Sequence, residues 1–148
     1  MLFRSITLTF SGDAKLLADS TLFRRAISNV VANALKHTPA NGNVAVEVRP
    51  LGDAVKISIK DDGVGIPAEH LPRVFDRFYR VDASRATAVP GTGLGLAIVK
   101  TIVELHGGSA TIESELGKGT LVTLIFPLSP GMREEMEKQP LPGAVVTD

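Results

Sequence analysis

Cysteine is absent, which excludes disulfides, cysteine metal sites and a thiol nucleophile in one step and leaves the redox compartment open. A charge excess is absent as well. Sixteen lysines and arginines balance sixteen aspartates and glutamates, so no overall field would hold the chain on DNA or on an anionic membrane, and electrostatic work has to be local. No apolar run approaches the ~20 residues of a membrane span, and the opening MLFRSITLTF lacks the apolar core of a signal peptide. A soluble, cytoplasmic chain is expected. Patterns for a catalytic triad or a metal cluster are missing too. His37 closes a helical pattern, His70 is expected at the surface and His106 precedes Gly107-Gly108, none with suitable serine, aspartate or ligand partners.

What remains is a chain of 148 residues, about one domain and long enough to bury a core. Residues 5–10 alternate, with Ile6, Leu8 and Phe10 on one face, and a turn toward a second short run at 14–18 predicts a hairpin. Asp19 or Ser20 can cap a helix in which Leu22, Phe23, Ala26, Ile27, Val30, Val31, Ala34 and Leu35 recur at helical spacing, ending before Pro39. Alternation predicts strands over 44–49 and 54–60, joined by a turn at 50–53. A short helical piece at 68–75 leads into a polar stretch, 76–90, that is long for a connection and is a candidate lid. A second helix is predicted over 94–106, with Leu94, Ile98, Ile102 and Leu105 on one face, followed by a hairpin of 109–114 and 120–127. Residues 129–148, with their prolines and glycines, are expected to be a poorly ordered tail on a domain spanning 1–128. The order implies an α/β, two-layer sandwich: a mixed, mostly antiparallel sheet with both long helices on one face.

Four stretches could carry chemistry. GTGLGLAIVK, residues 91–100, runs three glycines into a helix, as phosphate-cradling turns do. It is neither a dinucleotide fingerprint, because Gly95 comes one residue early, nor a P-loop, because Val99 precedes Lys100-Thr101. On the first helix Asn29, Asn33 and His37 share one stripe with Lys36 beside it. That stripe is either a solvated face or a place where an Asn carbonyl meets Mg²⁺ and Lys36 meets phosphate. DDGVGIP, residues 61–67, is either a plain turn or a site where Asp61 accepts from an exocyclic amine while glycines admit a flat ring. RVFDRFYR sets Arg73, Arg77 and Arg80 among Phe75, Phe78 and Tyr79. A single-stranded nucleic-acid patch would look similar, but on a neutral chain a lid bringing arginine to phosphates accounts better for it, with the aromatics docking the lid.

In this order and at these separations, NVVANALKHTP, DDGVGIP, FDRFYR and GTGLGLAIVK resemble the N, G1, F and G2 boxes of the ATP-binding domain of sensor histidine kinases. That family belongs to the wider group of gyrase, mismatch-repair and heat-shock chaperone ATPases. The similarity covers about residues 5–128 and includes GKGT at 117–120, and HLPRVFDRFYRVDASR looks closest to membrane kinases that sense heavy metals such as copper. The resemblance implies a Bergerat-type ATP-binding fold with ATP and Mg²⁺ as cofactors. It gives Asn33 the Mg²⁺, Asn29 a supporting polar role, Lys36 the phosphates and His37 a place beside the adenine. Asp61 would accept from the adenine amine, with Gly63, Gly65 and Ile66 shaping the pocket and Thr120 supporting that end. Arg77, Tyr79 and Arg80 of the lid would approach the nucleotide, and Gly91, Thr92, Gly93, Leu94, Gly95 and Leu96 would close around its phosphates. Asn33, Lys36 and Arg77 are the catalytic candidates.

The activity so implied is transfer of the γ-phosphoryl group of ATP to a histidine on a dimerisation domain absent from this chain. A response regulator would act downstream, the full-length protein would be a membrane-anchored homodimer, and no nucleic-acid partner is expected. The related hydrolases carry a glutamate four residues before the Mg²⁺ asparagine. Asn29 stands there and cannot take a proton at neutral pH, so bound ATP would wait for an external acceptor. None of the three histidines has the context of the family's phosphoacceptor, and the chain resembles an excised catalytic domain: a soluble monomer that binds ATP with little turnover. The alternative is a non-catalytic nucleotide-binding or interaction module of the same fold.

Overall fold

The computed structural model describes residues 5–79 and 95–128. In chain order the elements are β1 (Thr7–Ser11), α1 (Ser20–His37), β2 (Asn43–Leu51), β3 (Ala54–Asp61), a 3₁₀ helix (Ala68–Arg73), α2 (Gly95–Leu105), β4 (Ser109–Glu115) and β5 (Gly119–Pro127). The strands form one sheet in the order β1-β2-β3-β5-β4, antiparallel apart from the β1–β2 pair.

Alternation along the strands decides which face is covered. Val55, Ile57 and Ile59 of β3 point to one side, as do Val44 and Val46 of β2 and Val122, Leu124 and Phe126 of β5, and all are buried. Val30 and Ala34 of α1 and Val99 and Val103 of α2 close over them. Both helices therefore lie on the same face, the two-layer sandwich expected from the pattern. None of the described helices is long and apolar enough to cross a membrane.

Two expectations are corrected. The hairpin of 5–10 with 14–18 does not form, because residues 12–19 contain no strand and β1 instead runs parallel to β2, with Thr7 opposite Asn43. Gly12, at φ 77°, turns the chain so tightly beneath β2 that a Cβ would overlap the Val48 carbonyl oxygen. This sends Ala14 and Leu16 onto the core, and α1 becomes the crossover that a parallel pair requires. The buried face of α2 is also rotated from the expected one: Ala97, Val99, Ile102 and Val103 are buried, while Leu105 is 70% exposed. That helix is apolar nearly all round, so its own periodicity does not select a face, and packing against α1 does.

The two helices are pinned at both ends of their contact. Asp19 caps α1 by accepting the Leu22 N–H at 2.9 Å. Its own N–H donates to His106 Nε2 at 3.1 Å, beyond the end of α2. That bond fixes the tautomer, since Nδ1–H then donates to the Ile102 carbonyl at 2.7 Å. The His106 ring stands edge-on to Phe126 at 5.7 Å, and Phe23 does the same at 5.4 Å. At the other end Asn29 Nδ2 donates to the Gly95 carbonyl at 3.5 Å. The helices are thus antiparallel, and α1 continues about two turns beyond the start of α2. Replacing His106 by alanine removes both hydrogen bonds and the ring contact, and is expected to cost about 2 kcal/mol. The expected outcome is a clear drop in Tm with an unchanged far-UV circular dichroism spectrum, and an unchanged Tm would contradict the tie.

Candidate functional site

One end of the sheet breaks the apolar pattern. The inward row of β3, Val55, Ile57 and Ile59, ends in Asp61; that of β5, Phe126, Leu124 and Val122, ends in Thr120; that of β4, Ala110 and Ile112, ends in Ser114. Strand register sets these ends side by side, with Asp61 opposite Thr120 and Thr120 opposite Ser114. The neighbouring inward rung, Val46, Ile59, Val122 and Ile112, is apolar throughout. A polar rung therefore crosses three strands, and its Asp61 end lies by the tip of α1.

Asp61 is its centre, a carboxylate only 6% exposed in a row otherwise given to valine and isoleucine. Its Oδ1 accepts the Gly63 N–H at 2.9 Å. Burial pushes its pKa above the ordinary carboxylate value, while backbone hydrogen bonds from Gly63 and Thr120 and the nearby His37 oppose that shift. His37 is held below its ordinary value by burial and by Lys36, with Asp61 pulling the other way. The two groups thus sense each other across the space at the tip of α1. A Cβ on Gly63 would overlap the His37 carbonyl oxygen, so glycine is what lets the loop after β3 lie against the end of α1. Asp62 is occupied differently. It accepts the Asn43 backbone N–H at 2.7 Å and the Asn43 side-chain amide at 3.1 Å, bonds that lower its pKa and clasp the end of β3 to the start of β2.

The loop after Asp61 is held from its other side by the β4–β5 turn. Val64 accepts the Gly117 N–H at 2.9 Å, and Ile66 N–H donates to Ser114 Oγ at 2.7 Å. Gly65, at φ 76°, lies where a Cβ would overlap the Glu115 carbonyl oxygen, and a Cβ on Gly119 would overlap that of Asp61. The glycine at 65 therefore answers to the turn beside it. A shallow depression of about 330 Å³ at this end is lined by the outward rung Lys60, Leu121 and Glu113 together with Glu115 and Lys118, so it opens largely on the face of the sheet away from the helices.

The sequence-predicted residues divide into three groups. Asn33, Lys36 and His37 lie on the part of α1 that runs past Gly95, with Asn33 half-buried, Lys36 exposed, and His37 exposed as a residue but partly desolvated at its ring. Asp61 and Gly63 lie beside the His37 end, Thr120 pairs with Asp61, and Ile66 is tied to Ser114. Asn29 contacts Gly95, the first residue of α2, and Leu96 follows it, half-buried. The aromatic segment differs from expectation. Phe78 is 71% exposed instead of docked, Arg77 is exposed, and Tyr79 turns to the 3₁₀ helix, with its hydroxyl on His70 Nδ1 and its ring under Arg73 at 4.6 Å. Arg80, Gly91, Thr92, Gly93 and Leu94 lie outside the described residues. Lys100 is a surface residue, 4.0 Å from Glu104 and 5.9 Å from the Phe75 ring centroid. Ser114 was not anticipated, although its place at the end of the inward row of β4 marks it.

Comparison with known proteins places this geometry. Residues 18–130 match the family described as histidine kinase-, DNA gyrase B- and HSP90-like ATPase. The sensor protein IrlS of Burkholderia pseudomallei is 44% identical over 122 residues, which are 82% of this chain and 26% of IrlS. Among solved structures, the mycobacterial sensor histidine kinase MprB is 32% identical with a TM-score of 0.66, over 82% of this chain and 80% of that one. Full-length ShkA in complex with AMPPNP is 29% identical with a TM-score of 0.72, over 84% of this chain and 26% of that one. The chain spans about a quarter of the length of the curated relatives it matches.

The raised pKa of Asp61 has a consequence for stability. A carboxyl whose pKa is higher folded than unfolded favours the folded state below its unfolded value, and that contribution is lost as pH rises through the folded value. At neutral pH Asp61 is therefore a cost that a neutral amide would not carry. Asp61→Asn is expected to melt at or above the wild-type temperature at pH 7, with the difference shrinking as pH falls toward 4. A variant clearly less stable at pH 7 would show that the carboxylate serves the fold.

Proposed function

Because the chain belongs to the histidine kinase-, DNA gyrase B- and HSP90-like ATPase family, we propose that its polar sheet end binds the adenine of ATP, and that the bound nucleotide donates its γ-phosphoryl group to a histidine outside this chain. The observation that carries the reading is Asp61, buried at the end of an apolar row and facing the tip of α1, where Asn33, Lys36 and His37 project. A carboxylate kept there at a cost to stability has its use in accepting a hydrogen bond from a ligand, and the adenine 6-amino group supplies the donor. A purine bearing a 6-oxo group would leave that acceptor unmatched, so base selectivity follows from the same atom.

The remaining roles follow from position. Lys36 on the exposed tip of α1 would meet phosphate as a point charge. His37, which burial disposes toward the neutral form, would present its ring beside the base. Among the described residues no group of three or more histidines and carboxylates could hold a metal. Asn33 would be the protein's hard oxygen ligand for Mg²⁺, which would supply charge neutralisation at the ATP phosphates. Asn29 cannot accept a proton from water, and its amide is already directed at Gly95. The protein thus positions the γ-phosphorus for a histidine nitrogen. A nitrogen–phosphorus bond forms as the bond to the β–γ bridging oxygen breaks, and ADP departs with that electron pair. The acceptor histidine would belong to a dimerisation domain in the part of the protein outside this chain, with a response regulator downstream. The similarity to the sensor protein IrlS and to the histidine kinase MprB supports a sensor kinase; the heavy-metal type, a membrane anchor and a cytoplasmic place for this domain are what the resemblance of HLPRVFDRFYRVDASR adds to that reading. Arg77, together with Arg80 and the glycines of 91–95, would close over the phosphates.

Three measurements test this. Asp61→Asn is expected to raise the Kd for ATP by about 10–100-fold, the range for losing a hydrogen bond to a charged acceptor, and unchanged affinity by calorimetry would remove Asp61 from the site. Asn33→Asp should perturb binding of ATP with Mg²⁺ far more than binding without metal. Mixed with the dimerisation domain of the same kinase and ATP labelled on the γ-phosphate, the wild-type chain should transfer label to that domain. Bound ATP without transfer would leave a nucleotide-binding module and overturn the kinase reading.

A further inference from the structure

Ser114 ends the inward row of β4, next to Thr120 and one strand further from Asp61. A serine hydroxyl has one proton to donate and two lone pairs to accept with, and here all three are used. It accepts the Ile66 N–H at 2.7 Å and donates to the Gly119 carbonyl at 2.8 Å, which leaves its second lone pair for the Thr120 hydroxyl at 2.8 Å. These partners belong to two separate pieces of chain. Ile66 lies on the loop that leaves Asp61, whereas Gly119 and Thr120 open the strand that pairs with Asp61. Gly119 packs its bare Cα against the Asp61 carbonyl oxygen, so any slack in this junction is passed directly to Asp61. The Val64–Gly117 bond and the contact of Gly65 with Glu115 bring the loop to the turn, and Ser114 joins that loop to the start of β5 through one atom.

We propose that Ser114 is a positioning residue that sets how strictly the site selects adenine, by locking the loop 63–66 and Thr120 in register with the Asp61 carboxylate. The proposal rests on the nucleotide-binding reading given above. The Ser114 hydroxyl is taken up by Ile66, Gly119 and Thr120. It acts by holding Ile66 on one side of Asp61 and Thr120 on the other, so its removal should blur the distinction between purines more than it weakens the phosphate end. In Ser114→Ala the Ile66 N–H and the Thr120 hydroxyl lose a partner in a part-buried place, and the loop can shift to find water.

The test is a selectivity measurement on the whole chain. Calorimetric Kd values are determined for ATP and for inosine triphosphate, which lacks the 6-amino group, with wild type, Ser114→Ala and Ser114→Thr, and Tm is recorded for each. Wild type should prefer ATP by about 10–100-fold, Ser114→Ala should lose roughly tenfold of that preference, and Ser114→Thr, which keeps the hydroxyl, should recover most of it. A purely structural role would lower Tm and leave the ratio of the two Kd values unchanged, and that result would overturn the proposal. If Ser114→Ala does not fold, amide exchange on wild type decides. The Ile66 N–H should be protected and become more so with ATP bound, and an Ile66 amide exchanging freely in both states would overturn the proposal. A wild-type chain that binds ATP selectively while Ser114→Ala stays equally selective defeats the role of Ser114 alone. A wild-type chain that binds neither nucleotide defeats the binding reading as well.

Discussion

A carboxylate stands where an apolar side chain would stabilise the sheet more. Asp61 continues the inward row of Val55, Ile57 and Ile59, and burial of that group in place of an aliphatic one costs free energy in the absence of a ligand. Much of the surrounding structure is arranged to tolerate it. The Gly63 N–H and the Thr120 backbone support its charge, Gly63 admits the end of α1, and Gly119 admits the Asp61 backbone itself. The acidic neighbour Asp62 is turned away and spent on Asn43. The two adjacent aspartates have opposite pKa directions because burial dominates at Asp61 and the hydrogen bonds from Asn43 dominate at Asp62.

The helices determine what that acceptor can meet. His106 ties the far end of α2 to the cap of α1, and Asn29 ties the near end of α2 to the middle of α1. With both ends fixed, the offset between the helices is fixed as well, and the last two turns of α1 run past Gly95 to the Asp61 end of β3. Asn33, Lys36 and His37 lie on those two turns. A ligand with a flat amine-bearing base and an anionic tail matches that arrangement of a buried acceptor below and a lysine at the rim.

The long amphipathic helix was legible in the sequence because its eight apolar residues keep the 3.6 period, and the β2, β3, β4 and β5 strands because each alternates. The capping role of Asp19 and the turn positions followed from residue type. The parallel pairing of β1 was not legible, since residues 14–18 imitate a second strand and only Gly12, packed under Val48, redirects them. The exposed face of α2 was misjudged for a related reason: a helix apolar on several sides carries no single periodic signal. Within the site, Asp61 and the Asn33 stripe stood out through their neighbours along the chain. Ser114 did not, because its importance lies in partners 48 and 5 residues away in sequence that only strand register brings together. Tyr79 is held by His70 and Arg73 on the preceding 3₁₀ helix, contacts that its position in the sequence does not announce.

The central claim is that Asp61 reads the base while the tip of α1 holds the phosphate end, and a structure of the chain with Mg²⁺ and a non-hydrolysable ATP analogue tests it most directly. The account predicts the adenine 6-amino group within hydrogen-bond distance of the Asp61 carboxylate, the ion on Asn33, and the phosphates directed toward the start of α2. Nucleotide bound away from Asp61, or bound there with its phosphates toward the β4–β5 turn, would contradict it.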